Sequence, residues 1–307
     1  MKELLTASRI KTLLHCPRRH FLRYELGLTA ITSGDALRFG SAWHRAMEAR
    51  WHGDAYPFAL AAALGQRMEV DELQAATLAG LLAGYYAYYT ADPVRELRPE
   101  IEFRAPILYS RTFQAAGKID GLGVLHDGRL ALLEHKTTSE SIASDSDFWL
   151  RLRADKQLAQ YVLAAHRMGW DIQIAIYDVT RKPSIRPKQS ETIEQYGVRL
   201  AADAKERPEF YFARREVPII DQDLAEFEAE RRQLARLITH LRGEERRVAR
   251  REFAWPRNLG TMTCQGCEFS SFCLQNLSVD PAKPPAGFTV GPAHPELAGE
   301  TRRGENP

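Results

Sequence analysis

The spacing of apolar residues changes near residue 100, and this change separates a helical first part of the chain from a mixed second part. Before that point apolar side chains recur at helical intervals, and this spacing predicts helices. The first lies within residues 6–26, and the Cys16-Pro17 pair should interrupt it, because a residue before proline disfavours helical geometry. Further helices are predicted over residues 36–51 and, as a pair, over residues 57–90.

Beyond residue 100, alternating and continuous apolar runs predict strands that are interspersed with helices. The predicted strands cover residues 101–104, 113–119, 130–133 and 172–179, with a turn at Asp127-Gly128. The predicted helices cover residues 153–169 and 221–251, and the second of these is long and charged. Residues 278–307 are rich in proline and glycine without periodicity, so we expect a disordered tail there. The mixture of strands and helices predicts an α/β protein.

The composition is that of an ordinary globular protein. Of 307 residues, 44% are hydrophobic and 27% are charged, which permits a sizeable core. The formal net charge of +2 means that any basic surface for nucleic acid must be local. No apolar run reaches the length of a membrane span and no signal peptide is recognisable, so we expect a cytoplasmic protein without a membrane partner.

Carboxylates follow two of the predicted strands. Asp120 stands at the end of one strand, and Glu134 and Lys136 stand at the end of the next. Neighbouring strands that end in carboxylates can share a divalent cation, for which Mg²⁺ is suited. Glu134 and Lys136 are two residues apart and share a strand face, whereas only the backbone carbonyl of His135 could reach the metal. A lysine there can help to orient and deprotonate the attacking water.

Each of these residues could also have a purely structural role. Glu134 and Lys136 could be an ion pair on a solvated face, but the apolar run before them and Asp120 on the preceding strand favour a site. His44, in Gly40-Ser-Ala-Trp-His44, is by itself more typical of a core histidine. Gln157 and Tyr161, four apart on a helix, are by themselves more typical of helix packing.

The four cysteines form the second constellation. Cys264, Cys267 and Cys273 lie within ten residues, and Cys16 is far away in the sequence. Disulfides are not expected in a reducing compartment, so a ligand is indicated. Four thiolates suit a [4Fe–4S] cluster or a structural zinc ion. Zinc ribbons usually pair ligands two and two, so the one-and-three arrangement favours iron–sulfur over zinc, and both over four free thiols.

Taken in order, these motifs resemble one known family. The order is Cys16-Pro17-Arg18-Arg19, G-x-x-x-H ending at His44, G-x-x-D ending at Asp120, Glu134-x-Lys136, Gln157-Leu158-x-x-Tyr161 and the three-cysteine loop. It resembles the RecB/Cas4-like iron–sulfur nucleases of the PD-(D/E)XK superfamily over residues 6–275. One departure is Ile119, which stands where the superfamily name has proline.

The resemblance implies a fold and a set of roles. The fold would be a restriction-endonuclease-like core of a mixed central sheet flanked by helices, with an N-terminal helical insertion and a C-terminal iron–sulfur segment. The metal ligands for Mg²⁺ or Mn²⁺ would be His44, Asp120, Glu134 and the carbonyl of His135. Lys136 would be the catalytic lysine, and Gln157 and Tyr161 would support the active site and contact DNA. The ligands of a [4Fe–4S] cluster would be Cys16, Cys264, Cys267 and Cys273.

The same resemblance implies a layout and an activity. We expect one nuclease domain over residues 1–277, with a helical part to about residue 98, a core to about residue 220 and then a C-terminal helix and iron–sulfur segment. The expected activity is a single-stranded DNA exonuclease of 5′→3′ polarity in repair, recombination or CRISPR-type spacer processing. An endonuclease or flap nuclease with the same site, or a DNA-binding adaptor subunit, is the alternative.

The resemblance also suggests a DNA path and partners. The helical segment 54–98 would cover the active site, and candidate DNA contacts are Arg18, Arg19, Arg23, Lys118 and Arg151. The chain has no P-loop motif, which leaves open that a separate motor supplies single strands. A helicase, a recombination protein or a CRISPR-adaptation protein is the partner that the resemblance suggests.

Overall fold

The computed structural model describes residues 2–32, 34–65 and 70–297. The strands are β1 (Glu3–Leu5), β2 (Leu28–Ala30), β3 (Val94–Pro106), β4 (Phe113–Leu125), β5 (Leu130–Thr138), β6 (Ile174–Arg181), β7 (Phe212–Pro218) and β8 (Phe288–Val290). The α-helices are α1 (Ala7–His15), α2 (Pro17–His20), α3 (Asp35–Trp51), α4 (Tyr56–Leu64), α5 (Glu72–Tyr88), α6 (Asp147–Arg153), α7 (Lys156–Arg167), α8 (Ile193–Glu206), α9 (Pro208–Tyr211), α10 (Asp221–Glu244), α11 (Thr261–Gln265) and α12 (Ser270–Cys273). None of the helices in the described residues is long and apolar enough to cross a membrane.

The central sheet is mixed, and helices flank it. Its order is β1-β4-β5-β6-β7, and β3 also pairs with β4. The pairs β1–β4 and β5–β6 are parallel, whereas β4–β5 and β6–β7 are antiparallel. Strand β6 is buried along almost its whole length, as its apolar run predicts. The expected mixed α/β architecture is therefore confirmed.

The chain divides into two compact units. Unit 1 contains Met1–Ser33, Glu102–Gly117 and Gln222–Pro307, and unit 2 contains Gly34–Ile101 and Lys118–Asp221. Strands β3 and β4 each contribute residues to both units. The expectation of one nuclease domain over residues 1–277 stays a prediction.

Close packing of α5 on α8 dominates the helical part of unit 2. A Cβ atom on Gly84 would lie only 2.5 Å from the Cβ atom of Ala204, and one on Gly80 would lie 2.9 Å from the carbonyl oxygen of Gly197. Glycine at these two positions lets the helices approach closely. Trp43 of α3 and Tyr85 of α5 are buried in the same core and pack edge to face, with centroids 5.7 Å apart.

The N-terminal helices of unit 1 begin and end where local chemistry predicts. The Thr6 hydroxyl caps α1 by accepting a hydrogen bond from the Arg9 N–H. Helix α1 ends at His15, directly before Cys16, and Pro17 is the first residue of α2, where its missing N–H costs nothing. The interruption at Cys16-Pro17 is confirmed.

Four stretches differ from the prediction. Strand β4 continues past Asp120 to Leu125 and β5 continues past Lys136 to Thr138, so these residues do not stand at strand ends. Ladder hydrogen bonds continue through polar residues when partner strands lie on both sides. Helix α10 ends at Glu244. Within the expected disordered tail, β8 pairs antiparallel with β2, and residues 298–307 lie outside the described residues.

Candidate active site

Adjacent strands bring Asp120 and Glu134 together in unit 2. In the antiparallel pair of β4 and β5, Gly121 stands opposite Leu133, so the next positions along the two strands are Asp120 and Glu134. The backbone N–H of His135 donates to Oδ2 of Asp120 at 2.8 Å. Both carboxylates are buried, and Glu134 is only 1% exposed. The solvated ion pair considered for the Glu134-x-Lys136 motif is therefore excluded.

Lys136 and Gln157 hold one oxygen of Glu134. Lys136 Nζ donates to Glu134 Oε1 at 2.7 Å and to Gln157 Oε1 at 2.8 Å. The amide of Gln157 donates to the same Glu134 oxygen at 2.7 Å and to the Tyr161 hydroxyl at 3.0 Å. Asp155 caps α7 and fixes its first turn, which directs Gln157 and Tyr161 towards β5. The structure thus joins four of the predicted site residues in one network.

A second group of side chains that could bind a metal ion surrounds the carboxylate of Asp120. Nδ1 of His44, on α3, lies 3.4 Å from Oδ1 of Asp120. Ligand atoms of His44, Glu100 and Asp120 all lie within 4.8 Å of one another. Glu100 was not among the predicted site residues, because it belongs to no motif and precedes the alternating stretch that predicted β3. Its φ of 53° is unusual for a residue other than glycine, and its carboxylate forms an ion pair with Lys118.

The electrostatics of this group of side chains suit a bound cation. Burial raises the pKa of Glu134 to about 8, and the neighbouring Asp120 adds to the rise. Burial also acts to raise the pKa of Asp120, but His44 and His135 outweigh it and hold that pKa at about 2. Burial acts to lower the pKa of His44, but Asp120 raises it to about 9. Oε2 of Glu134 is buried and accepts no hydrogen bond from any described residue.

These features fit a divalent metal ion. An oxygen without a partner, in a group of buried carboxylates, is costly unless a cation compensates it. Oxygen ligands with one imidazole are acceptable to Mg²⁺ or Mn²⁺. His44, Glu100, Asp120 and Glu134 supply such donors.

A buried network lies behind the site. The ring of His135 packs against Trp51, with centroids 4.2 Å apart, and its Nδ1 lies 3.5 Å from Asp178 Oδ2. Arg214 donates to the same oxygen at 3.1 Å, and the Tyr85 hydroxyl donates to it as well. Burial lowers the pKa of His135 to about 4, so its ring is neutral at physiological pH. This network holds the residue whose backbone N–H binds Asp120.

The four cysteines, all in unit 1, line one small cavity together with Arg19 and Arg257. All lie within the described residues, and none of them forms a disulfide. The N–H of Cys267 donates to the carbonyl of Cys264, so the three-cysteine loop is a tight turn. Burial raises the pKa of the Cys267 and Cys273 thiols, so ligand binding there must release protons. All four cysteines line this cavity, and four thiols are a donor set that a metal ion or a cluster can use.

Direct contacts join the N-terminal helices to the C-terminal segment that carries the cysteine loop. Nε of Arg18 donates to the Trp255 carbonyl at 3.0 Å, and Arg19 forms an ion pair with Glu268 at 2.8 Å. Arg18 is only 8% exposed, so its burial does not support the suggested DNA contact. The other suggested contacts have partners as well: Arg23 donates to the Pro292 carbonyl, Lys118 pairs with Glu100 and Arg151 pairs with Glu140.

Comparison with known proteins decides the family. The model of the PD-(D/E)XK nuclease superfamily matches residues 4–274. The chain belongs to this superfamily. Members are generally metal-dependent nucleases, so the assignment indicates that activity and a DNA substrate. A search of curated proteins finds no match. A solved structure titled "Crystal structure of SSO0001" is 14% identical and covers 91% of this chain and 90% of its own, with a TM-score of 0.36.

Proposed function

We propose that this PD-(D/E)XK protein hydrolyses phosphodiester bonds of DNA with a divalent metal ion held by His44, Glu100, Asp120 and Glu134. The His135 backbone carbonyl would complete the ligand set. The observation that carries the proposal is the buried Glu134 Oε2, which lacks a partner among the described residues. Glu134 stands opposite Asp120, which lies within 4.8 Å of ligand atoms of His44 and Glu100. When bound, Mg²⁺ or Mn²⁺ polarises a phosphate and lowers the pKa of coordinated water.

Side chains of the protein would orient the attacking water, neutralise charge and position one another. Lys136 is held by Glu134 and Gln157 at one edge of the ligand group, where an ammonium can orient the attacking water and neutralise charge that develops on the phosphate. Gln157 bonds to Glu134, Lys136 and Tyr161 at once, so its role is to fix their positions.

Lys136→Ala tests this assignment. We expect cleavage of labelled DNA with Mg²⁺ or Mn²⁺ to be abolished while the far-UV circular dichroism spectrum stays that of the wild type. Lys188→Ala, which removes an exposed lysine of the same unit, is the matched control and should cleave normally. Wild-type turnover by Lys136→Ala would refute the proposed mechanism.

For the substrate we propose single-stranded DNA that enters from an end, with 5′→3′ polarity. The support is the family resemblance and the helical segment 54–98, for which a cover over the site is still a prediction. A covered site would admit a flexible strand and exclude a B-form duplex. Covalently closed single-stranded circles should therefore resist cleavage while linear strands are degraded. Circles cut as fast as linear strands would favour an endonuclease with the same residues.

We further propose membership of the RecB/Cas4-like branch, with a [4Fe–4S] cluster held by Cys16, Cys264, Cys267 and Cys273. The support is the shared cavity that all four cysteines line. Protein purified without oxygen should be brown and contain about four iron atoms per chain. Colourless protein with stoichiometric zinc would refute the cluster but leave the nuclease assignment intact. A helicase, recombination or CRISPR-adaptation protein is the proposed partner, and the cytoplasm is the proposed location.

A further inference from the structure

A basic groove in unit 1 lies outside both candidate centres. The turn between β3 and β4 forms one wall, and one face of α10 forms the other. The groove has a volume of about 470 Å³ and is lined by Leu108, Tyr109, Ser110, Arg111, Thr112, Arg232, Ala235, Arg236, Thr239 and His240. We call it the hairpin groove. Its lining contains three arginines and a histidine but no carboxylate, so it is suited to an anion.

The arginines of the hairpin groove have no acidic partners among the described residues. Arg232, Arg236 and His240 are spaced four apart, so they stack along one face of α10. Arg232 and Arg236 are like charges at this spacing, and such a pair destabilises a helix unless a counter-charge relieves it. The same helix does pair its other arginines: Arg231 with Glu228, and Arg242 with Glu3. Among the described residues, no carboxylate forms an ion pair with Arg232 or Arg236, so an anionic ligand would relieve the repulsion between them.

An exposed aromatic ring stands beside these charges. Tyr109 is 83% exposed, and the Arg232 guanidinium lies 5.6 Å from its ring centroid. Its φ of 61° places it in the left-handed region, which is unfavourable for tyrosine and common at ligand sites. Leu108 beside it is also exposed. The turn therefore presents apolar surface to solvent at the mouth of a cationic groove.

We propose that the hairpin groove binds single-stranded DNA, with a base stacked on Tyr109 and the adjacent phosphates held by Arg111, Arg232 and Arg236. An aromatic platform next to unpaired guanidinium groups is the combination that recognises unpaired nucleotides without sequence preference. A duplex fits less well, because its bases are already stacked. The proposal rests on the proposed function only in taking DNA as the substrate class.

Binding can be measured apart from cleavage. A fluorescein-labelled oligothymidine is titrated with the Lys136→Ala chain, which leaves the DNA intact, and anisotropy is followed at several salt concentrations. When Tyr109→Ala is combined with Lys136→Ala, binding should weaken about 5- to 150-fold, the range for loss of one stacked base. Tyr109→Phe, which keeps the ring, should bind normally. Arg232→Ala and Arg236→Ala, each combined with Lys136→Ala, should weaken binding. Each should also reduce the slope of log affinity against log salt concentration by about 1.

Arg246→Ala is the matched control, because it removes an exposed arginine of the same unit outside the groove. Circular dichroism verifies that each variant is folded. Groove variants that bind like Arg246→Ala would overturn the proposal, while cleavage by the wild type would still support the nuclease. If the wild type does not cleave DNA but the groove variants still bind DNA more weakly, the groove proposal would be supported and the proposed nuclease function refuted. If inorganic polyphosphate competes as well as DNA and Tyr109→Ala has no effect, the groove is an anion site and the proposal fails.

Discussion

Replacement of Arg214 by methionine should destabilise the protein strongly, because Arg214 is the cation of a buried network. Its Nε donates to Asp178 at 3.1 Å, and its Nη2 lies 2.7 Å from the Tyr85 hydroxyl oxygen. Asp178 is only 2% exposed, and its other oxygen has no hydrogen-bond partner among the described residues. Without the guanidinium, Asp178 would be a buried anion held by the Tyr85 hydroxyl.

The size of the effect follows from burial. Removal of one partner from a buried ion pair costs about 3–5 kcal/mol, because it leaves the other charge uncompensated. Methionine retains most of the aliphatic stem, so little of this loss comes from packing. We therefore expect the free energy of unfolding to fall by about 3–5 kcal/mol. That is a large share of the roughly 5–15 kcal/mol that stabilises a typical protein.

Urea unfolding followed by circular dichroism measures this loss. The control is Arg129→Met, which breaks ion pairs to Asp127 and Glu216 that are about half exposed, and exposed pairs contribute only about 0–1 kcal/mol. Arg214→Met should also weaken Mn²⁺ binding, since Asp178 contacts the residue whose N–H holds Asp120. Equal losses in Arg214→Met and Arg129→Met would show that solvent screens the network and that the reasoning from burial is wrong.

Three further changes have definite expected outcomes. Gly84→Ala should cost about 1–3 kcal/mol in urea unfolding, because the new methyl group would overlap Ala204 across the α5–α8 contact; an unchanged midpoint would mean that the helices can separate freely. Glu100→Gln should weaken Mn²⁺ binding by roughly 10- to 100-fold in calorimetric titration without loss of fold, and unchanged affinity would remove Glu100 from the ligand set. Cys16→Ala should lower the iron content and the urea midpoint of protein purified without oxygen, yet leave the midpoint of the iron-free protein almost unchanged; full iron content would exclude Cys16 as a ligand.

Much of the architecture follows from local pattern. The period of apolar residues predicted α3, α5, β6 and most of β4, because each element buries one face or its whole length. The interruption at Cys16-Pro17 follows from the steric restriction that proline imposes on its neighbour. Short elements such as β1, β2 and β8 carry no such pattern. They exist because a partner strand supplies their hydrogen bonds, and a sequence does not show its partners.

In the candidate site, too, some residues could be predicted from the sequence and others only from the folded structure. The Glu134-x-Lys136 spacing predicts a shared strand face, and the 2.7 Å contact agrees with it. Glu100 could not be predicted, since its proximity to Asp120 and His44 depends on how β3 lies beside β4. The orphaned Glu134 oxygen is likewise a property of the packed structure. Motif spacing therefore identifies groups that act together along one strand, but not those brought together by the fold.

The burial of Glu134 also bears on why this arrangement exists. An exposed Glu-x-Lys pair would cost nothing and contribute about 0–1 kcal/mol. Here the glutamate is buried beside a second carboxylate, and the oxygen left without a partner costs about 1–3 kcal/mol on its own. Replacement of buried ionic groups by well-packed apolar residues is often neutral or stabilising, so stability alone does not explain them. The divalent cation proposed for this site would offset the stability that the arrangement costs in the metal-free protein.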